Sequence, residues 1–201
     1  MSHYYENDPE LAHDEHEFSF TLAGHPLRFT ADNGVFSKHT VDFGSRVLIE
    51  TVVEQTLPAG PILDVGCGYG PIGLALAKQY PERQVVMSDV NERALGLAKR
   101  NAEANQIANV TIVESSVYDA IDGQFGVIVT NPPIRAGKAI VSAILEGALA
   151  HLQPGGQLYA VLQKKQGASS ALKLMQATFG QAEKVKMAHG YYILRATKPT
   201  A

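Results

Sequence analysis

The chain has 201 residues, of which 45% are hydrophobic, and its formal net charge is −3. This length suits one globular domain with a substantial core, and no second domain is required. Its single cysteine, Cys67, excludes an intramolecular disulfide and favours a reducing compartment. No uncharged apolar run reaches about 20 residues, and the acidic N-terminus is unlike a signal peptide. We therefore expect a cytoplasmic protein that does not span a membrane.

The charge is unevenly distributed along the chain. Residues 1–122 contain 8 Lys and Arg against 18 Asp and Glu, whereas residues 123–201 contain 9 against 2. The basic surplus near the C-terminus suggests a surface that binds a polyanion. A chance distribution of solvated charges explains the numbers equally well, because halves of a sequence need not form faces.

The first 60 residues differ in pattern from the rest. Residues 1–16 are expected to form a flexible leader without a metal site, because their histidines and acids lack a recognised ligand spacing. Apolar and polar residues alternate over 18–29, which predicts a β-hairpin. Helical spacing from Gly44 to Leu57 predicts a helix. Residues 17–60 are therefore expected to form a lid or appendage on the rest of the chain.

From Pro61 onwards, buried strands alternate with amphipathic helices. This pattern predicts an α/β, Rossmann-like, doubly wound and mostly parallel sheet, in which 61–201 is the cofactor-binding core of a single domain 1–201. Seven strands are expected at about 61–65, 84–89, 110–114, 125–130, 156–163, 181–187 and 190–197. Helices are expected at about 71–80, 91–105, 138–151 and 168–179. The last two strands are joined only through Ala188-His189-Gly190 and must form an antiparallel hairpin.

The glycine-rich segment Asp64-Val65-Gly66-Cys67-Gly68-Tyr69-Gly70 joins the first buried strand to a helix. Its glycines allow positive φ and let a ligand contact the backbone. A nicotinamide or flavin site would need glycine where Pro71 stands, which weakens that interpretation. Asp64 places a carboxylate beside the loop, which suits a ligand with an ammonium group, and Asp89 ends the next strand, where a ribose diol is bound in such sheets. The alternative is that both acids only cap loops.

A second motif, Asn131-Pro132-Pro133-Ile134, follows the buried strand at 125–130. Its two prolines cannot donate backbone hydrogen bonds, so the chain leaves the sheet stiffly. The Asn131 side-chain oxygen and the Pro132 carbonyl then form a pair of acceptors suited to an amino group with two N–H bonds. From these four residues alone, a strand-ending turn with a self-capping Asn is the competing interpretation. The glycine loop and acids at neighbouring strand ends favour the amine site.

Together these motifs resemble the class I S-adenosylmethionine-dependent methyltransferases. The segments Gly34-Val35-Phe36-Ser37, Asp42-Phe43-Gly44-Ser45 and 131–138 further resemble the methyltransferase small domain group, which includes the RsmC-type guanine-N2 methyltransferases of small-subunit ribosomal RNA. The resemblance runs from about Tyr5 to Lys198. RsmC-type enzymes carry a second, degenerate methyltransferase domain, so their substrate recognition does not carry over intact.

The resemblance implies S-adenosylmethionine as the cofactor and methyl transfer to an exocyclic amino nitrogen, foremost guanine N2 in ribosomal RNA. It implies RNA or a ribosomal subunit as the partner, no metal, and a monomer or homodimer. The implied cofactor-binding residues are Asp64, Gly66, Cys67, Gly68, Gly70, Asp89, Val90, Ser116, Val117 and Asn131. Ser116 stands where the family often has Asp or Asn against the adenine.

The resemblance also implies residues on the substrate side. Asn131 and Pro132 are the catalytic acceptors. The substrate-binding candidates are Phe36, Pro133, Ile134, Arg135, Lys138, Lys164 and Lys165. Phe36 would stack on a base, although core packing is an alternative for it, and the basic residues would contact phosphates or only face solvent.

Two other functions remain open at this point. The same acceptor pair would serve a methyltransferase acting on protein glutamine or on DNA adenine. A protein of a different class, a catalytically inactive RNA-binding assembly factor, would use the fold as a scaffold.

Overall fold

A computed structural model describes residues 7–35 and 39–201. In chain order the elements are β1 (His16–Leu22), β2 (His25–Ala31), α1 (Phe43–Val53), β3 (Ile62–Val65), α2 (Pro71–Gln79), β4 (Val85–Asp89), α3 (Glu92–Ala104), β5 (Val110–Glu114), β6 (Phe125–Thr130), α4 (Lys138–His151), β7 (Leu152–Gln163), α5 (Ala168–Phe179), β8 (Ala182–Ala188) and β9 (Tyr191–Thr197). Two short 3₁₀ turns lie at Ile134–Ala136 and Lys164–Gln166.

The central sheet has seven strands in the order β5-β4-β3-β6-β7-β9-β8. Strand β9 runs antiparallel to both of its neighbours, and the remaining pairs are parallel. Every residue of β6 is buried, as expected for an apolar strand covered on both faces. The predicted fold class, including the final hairpin, is confirmed.

Strand β3 lies between β4 and β6, so the chain order reverses there. Val65 at the end of β3 pairs with Thr130 of β6 on one side and with Ser88 of β4 on the other. The Thr130 hydroxyl also donates to the Val65 carbonyl over 2.9 Å. The segments that follow β3, β4 and β6 therefore open at one sheet edge, where α/β sheets of this kind bind ligands.

The N-terminal hairpin packs into the main core. Leu22, Leu27 and Phe29 are buried in the same apolar cluster as Tyr69 of the glycine loop. The Phe29 and Tyr69 ring centroids are 5.8 Å apart in an edge-on arrangement. The Asn101 side chain of α3 donates to the Tyr69 carbonyl over 2.9 Å. The hairpin and α3 thus hold the outer side of the glycine loop.

Residues 7–15 of the segment expected to be a flexible leader contact α3. The Asn7 side chain accepts from the Glu92 N–H over 2.7 Å. Arg93 donates to the Leu11 carbonyl over 2.6 Å, and Arg100 forms two hydrogen bonds with Glu15. The backbone at the start of α3 and the side chains of Arg93 and Arg100 therefore hold this segment. Residues 1–6 lie outside the described residues.

Two element boundaries differ from the sequence-based ones. Helix α1 begins at Phe43 and ends at Val53, four residues before Leu57. Strand β7 starts at Leu152, directly after α4, because Leu152 pairs with Phe125 of β6, and Gly155 and Gly156 exchange backbone hydrogen bonds with Lys198. Within 7–35 and 39–201, no helix has the length and apolar character needed to cross a bilayer.

Candidate active site

The glycine loop is anchored to the end of β4 through its backbone. The N–H groups of Gly66 and Cys67 both donate to the Ser88 carbonyl over 2.8 Å. Gly66 and Gly68 have φ of +75° and +57°, and a Cβ on either would meet no atom within 4 Å. Open space therefore lies directly against this backbone. A ligand can approach the loop there without a side chain in its way.

Asp89 connects the loop to α3. Its Oδ2 accepts from the Gly68 N–H over 2.8 Å, and its Oδ1 accepts from the Asn91 N–H over 2.9 Å. The carboxyl group is buried, which raises its pKa. Each oxygen has a second lone pair, so the group can still accept from a diol while it holds the loop. Val90 follows it, and its carbonyl accepts from Asn7 over 3.0 Å.

Asp64 is completely buried beneath the loop. Its Oδ2 accepts from the Gly73 N–H over 2.9 Å, whereas its buried Oδ1 has no partner among the described residues. Burial raises the pKa of this carboxyl to about 7, and the nearby charge of Asp89 adds to the shift. A buried acceptor without a donor is costly unless a ligand supplies one. Asp64 therefore fits a ligand that brings an ammonium group or an N–H.

The turn after β5 lies next to Asp89. The Ser115 N–H donates to the Asp89 carbonyl over 3.0 Å, and the Ser115 hydroxyl donates to the Val117 carbonyl over 3.2 Å. Val117 has a φ of +53°, an unfavourable conformation for a β-branched residue. Ser116 is exposed. The buried Ser115, which the sequence did not single out, holds this strained turn in place.

Asn131 has a fixed amide orientation. Its Nδ2 donates to Asp42 Oδ2 over 3.2 Å and to Ser45 Oγ over 3.1 Å. These two contacts use both hydrogens of the amide, so the amide oxygen remains as an acceptor. Pro132 and Pro133 behind it are buried. The acceptor expected at the end of β6 is thus held by side chains from the start of α1.

A cavity of about 180 Å³ opens beside Asn131. Asp42 and Tyr191 contribute to its walls, and the Tyr191 hydroxyl accepts from Gln163 over 2.7 Å. A Cβ on Gly44 would come within 2.7 Å of the Tyr191 ring, so only glycine allows this close packing. We call this cavity the target pocket.

The other substrate-side candidates lie around or near the target pocket. Ile134 and Arg135 line it, and Lys138 lines an adjoining apolar groove of about 440 Å³ between α4 and α5. Lys164 and Lys165 are exposed on the 3₁₀ turn that follows β7. Phe36 lies outside the described residues.

Sequence reasoning did not assign site roles to Asp42, Gln163 and Tyr191, which line the target pocket, or to Ser45, which holds Asn131. Asp42 and Ser45 have the N-cap spacing of a helix start, a signal that also marks them in the motif 42–45. Gln163 and Tyr191 have no local signal, because they meet only through the pairing of β7 with β9.

One further cluster of polar groups lies away from this edge. Ligand atoms of His13, Glu15 and Asp32 lie within 4.8 Å of one another. Asp32 accepts from the Asp14 N–H and contacts His13 over 2.6 Å each, and Glu15 is paired with Arg100. Burial raises the pKa of Asp32, but these hydrogen bonds outweigh it and hold the pKa below its ordinary value. The cluster joins the N-terminal segment to α3.

The methyltransferase small domain family matches residues 26–195. The chain belongs to this family. It is thus related to S-adenosylmethionine-dependent methyltransferases, in agreement with the loop, the acids and the acceptor motif. The family assignment and the cofactor inferred from the sequence are confirmed.

Individual relatives differ in their sequence identity to the chain and in how much of their length it matches. It is 48% identical over 198 residues to the uncharacterised protein YbxB of Bacillus subtilis, and the match covers 98% of each chain. It is 33% identical over 175 residues to the ribosomal RNA small subunit methyltransferase C of Erwinia tasmaniensis, covering 84% of this chain and 48% of that protein. The chain thus spans about half the length of that curated methyltransferase.

The chain is also similar in structure to solved methyltransferases. The T. thermophilus 16S rRNA N2 methyltransferase RsmC, in complex with AdoMet and guanosine, superimposes with a TM-score of 0.83 at 29% identity. This match covers 95% of the chain and 52% of that enzyme. A methyltransferase from Pyrococcus furiosus has a TM-score of 0.66 at 24% identity and supports the fold alone.

Proposed function

We propose that this protein transfers a methyl group from S-adenosylmethionine to the N2 amino group of guanine in small-subunit ribosomal RNA. The observation that carries the proposal is the fixed Asn131 amide, whose two N–H bonds go to Asp42 and Ser45. Its oxygen is thereby available to an amino group next to the cofactor loop. The relatives named as ribosomal RNA methyltransferases support the choice of RNA.

The residues at the ends of β3 and β4 would hold the cofactor. Asp64 Oδ1 would accept from its ammonium group, and Asp89 would accept from its ribose hydroxyls. The open side of Gly66 and Gly68 would receive its amino acid portion against the backbone. Ser116 and Val117 would lie at the adenine. When bound, S-adenosylmethionine supplies an electrophilic methyl group on a sulfonium.

The residues after β6 would position the nitrogen. Asn131 Oδ1 and the Pro132 carbonyl each accept one N–H of the target amine. The lone pair of an aromatic amine is delocalised into the ring, and these two acceptors favour a pyramidal nitrogen whose lone pair faces the methyl group. The nitrogen would form its new bond to the methyl group that the sulfonium supplies, and it would then release one proton to solvent. Fixed dipoles stabilise the positive charge that develops on nitrogen.

The RNA would reach the target pocket as an unpaired or flipped base. A base within a duplex cannot present its amino group to a recessed acceptor, so single-stranded or extruded RNA is required. Pro133 and Ile134 would contact the face of the base. Arg135, Lys138, Lys164 and Lys165 are exposed around the same edge and would contact phosphates. Phe36 is proposed as a stacking residue from its sequence position.

The alternative substrates are a protein glutamine and DNA adenine, since any amino group can use the same acceptor pair. An inactive assembly factor is disfavoured, because a scaffold has no physical need for the unpartnered buried oxygen of Asp64 or the fixed amide of Asn131.

The test is incubation of the protein with methyl-labelled S-adenosylmethionine and, separately, small ribosomal subunits, naked small-subunit RNA, protein extract and DNA. We expect label in ribosomal RNA, recovered as N2-methylguanosine after digestion to nucleosides. Label confined to protein or DNA would refute the proposal. Cofactor binding without transfer to any substrate would favour the assembly factor.

A further inference from the structure

Asp42 lies where it can contact both the catalytic amide and the base. It is the N-cap of α1, and its half-buried carboxylate lines the target pocket beside Asn131. Asn131 directly follows β6 and is 89 residues from Asp42 in the sequence, so only the fold brings these two residues together. Because Asp42 contacts Asn131 in the target pocket, its position affects which base the pocket selects. This inference rests on the proposed function.

The two carboxylate oxygens of Asp42 have different surroundings. Oδ2 accepts from the Ser45 N–H over 3.1 Å and from Asn131 Nδ2 over 3.2 Å. Oδ1 accepts no hydrogen bond from any residue in the described part of the chain. The helix cap and the Asn131 amide therefore fix the orientation of the carboxylate, and one negatively charged acceptor is left for a ligand in the pocket.

Guanine and adenine differ at the atom next to their amino group. The guanine N2 amino group adjoins N1–H, which is a donor, whereas the adenine and cytosine amino groups adjoin an unprotonated ring nitrogen, which is an acceptor. A carboxylate beside Asn131 would accept from guanine N1–H in a charge-assisted hydrogen bond. The same carboxylate would face a lone pair of adenine or cytosine and repel it.

We infer that Asp42 is the specificity-determining residue of the target pocket: its Oδ1 accepts from guanine N1–H while Asn131 accepts from the N2 amino group. The pair of acceptors then matches the pair of adjacent donors that guanine presents. A protein glutamine side chain lacks a second donor of this kind, and adenine presents an acceptor there. The pocket would thus select guanine by a hydrogen bond and reject adenine by repulsion.

Asp42→Asn tests this with a change of one atom. The cap needs an acceptor oxygen for the Ser45 N–H, so the amide oxygen takes the place of Oδ2 and the NH₂ group replaces Oδ1. Asn is itself a favoured N-cap, so α1 is retained, which circular dichroism and the melting temperature would verify. The NH₂ group of the variant is therefore a donor that faces guanine N1–H, which is also a donor, so no hydrogen bond can form between them.

The readout is base preference. We would measure binding of guanosine and of 2-aminopurine riboside, which has the same amino group but an acceptor at N1, to protein loaded with S-adenosylhomocysteine. Wild type should prefer guanosine by about tenfold or more, and Asp42→Asn should abolish or reverse that preference. Methyl transfer to small-subunit RNA should fall about a hundredfold in the same variant.

Ser45→Ala is the matched control. It removes the other hydrogen bond that holds Asn131 but leaves the Asp42 carboxylate in place. It should lower methyl transfer and keep the guanosine preference, so a loss of Asn131 positioning alone cannot imitate the effect of Asp42→Asn. The inference is overturned if Asp42→Asn keeps the wild-type preference, or if wild type binds both nucleosides equally or neither. Failure of wild type to methylate any RNA would instead refute the proposed function.

Discussion

The proposed cofactor side and the proposed target side of this sheet edge are built in different ways. On the cofactor side, Asp89 and the Ser88 carbonyl receive backbone N–H groups of the loop that follows the neighbouring strand. On the target side, Asn131 is held by the side chains of Asp42 and Ser45, which are 89 and 86 residues away in sequence. The first region is thus maintained by hydrogen bonds from the loop backbone to the end of the adjacent strand, and the second by side chains from a remote helix start.

This difference predicts how each region responds to substitution. Backbone hydrogen bonds do not depend on side-chain identity, so the glycine loop keeps its shape unless a carboxylate or a glycine is replaced. The Asn131 amide depends on the side chains of Asp42 and Ser45, so a single substitution at either position, remote in sequence, can change the orientation of the amide. We therefore expect single substitutions to alter target selection more easily than cofactor binding.

The largest expected effect is that of Asn131→Ala on the target side. Removing one of two preorganised acceptors should lower kcat by about 10²–10³-fold, because the developing charge loses a fixed dipole. Cofactor affinity, measured by calorimetry, should change by less than about threefold, since the loop and acids are untouched. Asn105→Ala, at the far end of α3, removes an amide of the same kind and is the control. Full activity of Asn131→Ala would remove this residue from the mechanism.

The next effect is that of Asp89→Asn on the cofactor side. Both oxygens of Asp89 accept backbone N–H groups, so an amide NH₂ would face one of these donors and displace the loop. We expect cofactor affinity to fall about 10–100-fold in titration calorimetry.

Glu114→Gln provides the control, because Glu114 ends the adjacent strand opposite Asp89 and is exposed. The same loss in both variants would mean that general charge, and not the position of Asp89, governs cofactor binding.

A smaller, pH-dependent effect should distinguish Asp64 from Asp89. The pKa of Asp64 is raised to about 7, and an ammonium ligand binds the ionised form. Cofactor affinity should therefore fall by up to about tenfold per pH unit below 7, and this dependence should vanish in Asp64→Asn.

The same shift makes a prediction for stability. The folded state holds the Asp64 proton more tightly than the unfolded chain, where the pKa is 3.8, so this contribution to stability is lost as pH rises from about 4 to 7. In chemical denaturation without ligand, Asp64→Asn should lose less stability over this range than wild type. An identical pH profile for both proteins would contradict the raised pKa.

The smallest effect concerns the basic residues outside the target pocket. Replacing Lys164 and Lys165 together with Ala should reduce the salt dependence of RNA binding by about one to two ion equivalents and weaken binding at low salt. Lys99→Ala, exposed on α3 in the acidic part of the chain, is the control. Filter binding at several salt concentrations would measure the slopes, and an unchanged slope would exclude the two lysines from the RNA contact.

Most of the fold was predictable from local patterns. Strand β6 is an uncharged, fully buried run that ends at Thr130, directly before Asn131, and the structure places its boundaries where the sequence predicted them. The glycine loop was predictable for the same reason, since it directly follows β3, which contains Asp64, and Asp89 is the last residue of β4. The prediction at the start of β7 was less accurate, because Gly155 and Gly156 are held in the strand by Lys198, 43 and 42 residues further along.

The amino-acid pattern was sufficient to predict the sheet, the glycine loop between β3 and α2, and a polar residue directly after β6, because each depends on residues close together in the chain. Only the tertiary structure showed which groups face that acceptor. Gly44 admits the Tyr191 ring, and Asp42 reaches Asn131, through packing of α1 against strands from the other end of the chain. Side-chain orientation in the target pocket is a long-range property, because no local periodicity encodes the meeting of segments separated by about ninety or more residues.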